Sequence, residues 1–124
     1  GKSNDVSSRE RLRVMFVAGL IAELEASLRA TSVATQKATF GVTAAKRAAR
    51  SAARIRSAAD KTGCSILNEI LNVFASVTLK LNNQAELTDA ADQIADLGYQ
   101  VAEQTDGSTL GPLDPFLPAA DRWK

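Results

Sequence analysis

Val14-Met15-Phe16-Val17-Ala18-Gly19-Leu20-Ile21-Ala22-Glu23-Leu24-Glu25-Ala26-Ser27-Leu28 is the stretch that decides the fold. Val14, Val17, Ile21, Leu24 and Leu28 recur at steps of three and four, which places them on one stripe of an α-helix and on both faces of any strand. The same alternation runs on through Thr31, Thr35, Ala38, Val42, Ala45, Ala49 and Ala52 and makes a heptad seam. Large residues hold its first half, threonines its middle and alanines its end, a taper that suits a partner coming progressively closer.

Working upstream, Ser7-Ser8-Arg9-Glu10 supplies a Ser-x-x-Glu capping box that starts a helix near Ser8, and residues 1–7 read as a mobile N-terminus. Downstream, no proline precedes Pro112. Lys61-Thr62-Gly63 reads as a helix end with Gly63 in the left-handed position. A helix over 8–61 would be about 80 Å long, more than the rest of the chain covers. Either it bends near Phe40-Gly41, where glycine and β-branched neighbours weaken it, or another molecule buries part of its seam.

A second helix is expected over 65–82, with Ile66, Leu67, Ile70, Leu71, Phe74, Val77 and Leu81 on a broad apolar face; as the most hydrophobic element it is expected to be central. A third, acidic helix follows over 85–104, with Leu87, Ala91, Ile94, Leu97 and Val101 turned inward. Residues 105–124 hold the chain's three prolines and read as an extended tail whose Phe116 and Trp123 clasp a groove. The fold class is therefore all-α: a long N-terminal helix and two shorter ones in a helical bundle or coiled-coil-like assembly, with an extended proline-rich C-terminal tail, all in a single domain.

Composition removes several kinds of chemistry. The chain has no histidine and one cysteine, so a Ser-His-Asp triad, the usual histidine-bearing metal site and an internal disulfide are excluded. Cys64 lacks a partner base and reads as a structural thiol. No catalytic residue, cofactor or metal ligand is assigned. The apolar run Val14 to Ala22 ends at Glu23, well short of the roughly 20 residues a membrane span needs. An integral membrane role is not expected, no signal peptide is evident, and a cytoplasmic location or one within an assembled particle is favoured.

Charge is the remaining signal. The 15 basic and 14 acidic residues divide as twelve and five over residues 1–62, and three and nine over residues 63–124, or +7 followed by −6. Lys46, Arg47, Arg50 and Arg54 form a basic stripe, and Glu86, Asp89, Asp92 and Asp96 an acidic one. Such a chain neutralises itself by folding back, or presents opposite faces to neighbouring copies.

The leading expectation is a non-enzymatic protein that self-associates into a homo-oligomer or larger protein assembly. Its seam would be Val14, Val17, Ile21, Leu24 and Leu28, its register pairs Arg50 and Arg54 against Asp89 and Asp92, and its tail clasp Phe116 and Trp123. The alternative partner is nucleic acid, gripped through Lys46, Arg47, Arg50, Arg54 and Arg56. Peripheral membrane binding through Met15, Phe16 and Leu20 is a third reading, and a four-residue repeat of Ser27, Thr31, Thr35, Thr39 and Thr43 is read either as a polar midsection or as a face between copies.

Overall fold

A computed structural model describes residues 8–33, 38–79, 83–105 and 107–117. Among them lie four α-helices, α1 (Ser8–Val33), α2 (Ala38–Thr62), α3 (Ser65–Ala75) and α4 (Gln84–Gln104), and a run of 3-10 turns, η1 (Ser108–Phe116), with no strand. The all-α bundle is as expected. The stretch read as one helix over 8–61 is two, however, and they double back on each other: Ser51 of α2 donates to Glu23 of α1 at 3.1 Å. Phe40-Gly41, the expected bend, lies inside α2.

Helix α1 packs against α2 and α4, and α3 packs against α2 and α4, while α1 and α3 do not approach each other, nor do α2 and α4, among the described residues. The helices thus close a ring in chain order, with α1 diagonal to α3 and α2 diagonal to α4. Helix α4 runs antiparallel to α1, as Arg29 meets Asp92 and Glu10 meets Gly107. One core fills the ring, built from Val17, Ile21, Leu24 and Leu28 of α1, Ile55 of α2, Leu67 and Ile70 of α3, and Leu87, Ile94 and Val101 of α4. Fully burying each large aliphatic side chain contributes about 1.5–3 kcal/mol.

Helix α2 differs from the others in filling its inner face with Ala44, Ala48, Ala52, Ala58 and Ala59, small residues that let the leucines of α1 come close. Helix α3 is not the centre it was expected to be. It is eleven residues long and exposes Asn68, Glu69 and Asn72, whereas α1 touches two helices and η1. Between α2 and α3 the turn forms as read: Gly63 has φ +67°, and its N–H donates to the Ala59 carbonyl at 2.8 Å. Cys64 follows, half-buried, its N–H donating to Thr62 Oγ1 at 3.2 Å.

The proline-rich segment is wound rather than extended over Ser108–Phe116, where it buries Leu110 and Leu113 against α1 and α2 of the same chain. Gly107 allows this seating, with φ +90° and a position where a Cβ would collide with the Glu10 carbonyl. The N-terminus at 1–7 and Trp123 lie outside the described residues.

Candidate functional site

The expected contact residues other than Trp123 and Thr35 lie among the described ones. Val17, Ile21, Leu24 and Leu28 are buried in the chain's own core and Val14 is half-buried against it, so these seam residues pack α1 against the rest of this chain. Of the threonine stripe, Ser27 and Thr31 are buried, with Thr31 donating to the Ser27 carbonyl at 2.8 Å, and Thr43 is exposed, while Thr35 lies outside the described residues. Met15 is exposed, but Phe16 is half-buried and Leu20 buried, which leaves no continuous apolar face there for a bilayer.

The register pairs do not form within the chain. Arg50 is exposed without an ion pair among the described residues, and Arg54 lies 3.6 Å from Glu23 rather than beside Asp89 or Asp92. Asp92 accepts from Arg29 at 2.9 Å, and Asp89 accepts from Gln93 at 2.9 Å. The reason is topological: α2 and α4 stand at opposite corners of the ring, with α1 between them. Helix α1 turns Glu23 toward basic α2 and Arg29 toward acidic α4, and Arg29 also binds Glu25 at 2.8 Å. Its two carboxylate partners hold the Arg29 guanidinium pKa above the ordinary value.

Two charged faces result. On α2, Lys46, Arg47, Arg50, Arg54 and Arg56 are all exposed, and only Arg54 joins an ion pair among the described residues. On α4, Glu86, Asp89, Asp92, Asp96 and Glu103 are all exposed, with no cation on the helix. The faces are separated by the width of the bundle. No family model, curated protein or solved structure matches this chain.

Other chemistry among the described residues is sparse. They contain no group of three His, Cys, Asp or Glu residues placed to hold a metal ion. No described helix is long and apolar enough to cross a membrane. A cavity of about 230 Å³ opens between α1, α2 and η1, and half-exposed Phe116 lines it beneath Lys61, whose Nζ is 5.1 Å from the ring centroid. Phe116 thus lines a groove of its own chain while half of it stays exposed. This cavity had no signal in the spacing of any one helix, because residues from three elements meet there.

Proposed function

We propose that this protein is a non-catalytic helical assembly subunit whose copies join head to tail, the basic outer face of α2 in one copy meeting the acidic outer face of α4 in the next. The observation that carries the reading is the diagonal placement of α2 and α4, which keeps the two complementary faces from neutralising each other inside one chain. A copy supplies what the fold withholds. Each exposed ion pair adds only about 0–1 kcal/mol, so the faces act through number and register, excluding wrong partners by like-charge contact. A contact between two different faces repeats without closing unless the rotation happens to form a ring. The seam has no part in this, being internal to the chain.

Molar mass by light scattering tests the reading. Mass should rise with protein concentration at low salt and fall to that of one chain at high salt, and Lys46→Glu with Arg50→Glu should abolish the rise. A single-chain mass under every condition would sink it.

A second reading rests on the same α2 face. Lys46, Arg47, Arg50 and Arg56 have no ion-pair partner among the described residues, and together with Arg54 they form a cationic strip that suits a phosphate backbone. It requires duplex DNA or RNA to bind with an affinity that falls steeply with salt.

A further inference from the structure

The groove between α1, α2 and η1 has walls of two kinds. Phe16 and Leu20, four apart on α1, and Leu113 and Phe116, three apart on η1, make it apolar on two sides. The third side is a stripe along α2, Arg54, Ser57 and Ala58. Lys61, one turn beyond Ser57, lies over the Phe116 ring and outside the lining, and neither cation is strongly held. Arg54 reaches Glu23 only at 3.6 Å, with no hydrogen bond between them. Lys61 donates to Ser57 Oγ at 3.1 Å and lies over the Phe116 ring, and no carboxylate faces it among the described residues.

We propose that this groove binds a compact amphipathic acid, an aryl or short alkyl carboxylate, with its body between Phe16, Leu113 and Phe116 and its carboxylate on Arg54. Small-molecule sites combine an apolar lining with a few polar groups that orient the ligand, and arginine is the side chain best shaped to receive a carboxylate. The volume, about 230 Å³, is below the roughly 300–1,000 Å³ that accommodates drug-sized ligands, which limits the occupant to a single fused ring system or a short chain. Burial of the aromatic body draws the ligand in, and the guanidinium sets its direction. Ser57 Oγ, which accepts from Lys61, still has a proton to donate to the second carboxylate oxygen. The groove opens at the η1 end of α1 and α2 and shares Arg54 with the basic face of α2, so ligand binding is to be measured where assembly is suppressed.

Calorimetric titration of the full chain with 1-naphthoate tests the assignment, in high salt so that any assembly is suppressed. Saturable binding of one ligand per chain is expected. Affinity should drop about tenfold or more in Arg54→Gln, the scale of a lost charged hydrogen bond, and by a similar factor in Phe116→Ala. Arg56→Gln, which removes the same charge from elsewhere on α2, should leave binding unchanged. Absence of saturable binding up to millimolar ligand overturns the proposal. So does equal affinity for the uncharged 1-naphthylmethanol, or affinity that Phe116→Ala and Arg54→Gln leave unchanged. Binding that weakens as protein concentration rises assigns the groove to a second copy instead, and overturns it too.

Discussion

Arg13 and Asp114 meet in a two-pronged pair: Nε donates to Oδ1 at 2.7 Å and Nη2 to Oδ2 at 2.8 Å. The third nitrogen of the same guanidinium, Nη1, donates to the Gly107 carbonyl at 3.2 Å. One side chain of the first helix thus fixes the last described segment at two points. Its hydrogen bonds hold the Asp114 carboxyl below the usual aspartate range, with the charges of Arg13 and Arg9 adding to them and desolvation opposing.

The sign of the resulting pH dependence follows. A carboxyl with a lower pKa folded than unfolded stabilises the fold above the unfolded value, near 3.9, and that contribution disappears as pH falls through the folded value. Asp114→Asn should therefore melt a few degrees lower than the parent at neutral pH, and the two melting curves should converge in strong acid. A gap that persists unchanged at low pH would show that the pair does not act through its charge.

Two glycines in helices should respond oppositely to alanine. At Gly98 a Cβ would lie 2.9 Å from Ile21 Cγ2, a branched side chain locked in the core. Overpacking costs about 1–3 kcal/mol against a helix-propensity gain of about 1 kcal/mol, so Gly98→Ala should destabilise. Gly19 has open space, and Gly19→Ala should stabilise by up to about 1 kcal/mol. Urea denaturation of the pair checks both signs at once.

Leu24 is fully buried, and Leu24→Ala should cost about 2–5 kcal/mol of folding free energy. The midpoint of urea unfolding should fall at every protein concentration alike, as expected of a residue that packs within one chain. A loss that shrinks as protein is concentrated would return Leu24 to a surface between copies.

Ser27 is fully buried and its Oγ has no hydrogen-bond partner among the described residues. Leaving a buried hydroxyl unpaired costs about 1–3 kcal/mol. Ser27→Ala, which also improves helix propensity, should raise stability by about 1 kcal/mol or more. A drop in thermal midpoint would mean that the hydroxyl finds a partner in solution.

Head-to-tail pairing makes a prediction that no single variant can. Reversing Lys46, Arg47, Arg50 and Arg56 to glutamate gives a chain acidic on both faces, and reversing Glu86, Asp89, Asp96 and Glu103 to lysine gives one basic on both, with Arg54 and Asp92 left in their pairs with Glu23 and Arg29. Each should remain unassembled alone, and mixing them should restore assembly, with the two variants alternating. If the mixture scatters light like its separate components, the two faces do not meet.

The residues that face inward were legible, but which molecule they face was not. Val17, Ile21, Leu24 and Leu28 have the spacing of a seam, and spacing is the same whether the partner helix belongs to a neighbour or to the chain itself. The break between α1 and α2 carries no glycine or proline, so the punctuation rules pointed instead to Gly41. A better signal was a change of phase. Extending the seam of α1 puts Val42 and Ala49 inside, yet both are exposed, while Ala44, Ala48, Ser51, Ile55 and Ala58 form a second three-and-four series that is buried. Ile55, the one large aliphatic of that series, marked it. The residues of both charge stripes are exposed. Their diagonal separation depends on which helices touch, and single-helix periodicity holds no information about that.

The clasp of Arg13 on Asp114 also orders events in time. The two residues are 101 positions apart, whereas α1 meets α2 through a hairpin of close neighbours. Short loops close fastest and long ones pay their entropy late. A chain emerging from the ribosome can therefore zip α1 onto α2 while the first turns of α1 stay uncovered. They are sealed only when Leu110 and Leu113 arrive, so a nascent chain halted before η1 should present that end of α1 to chaperones and proteases.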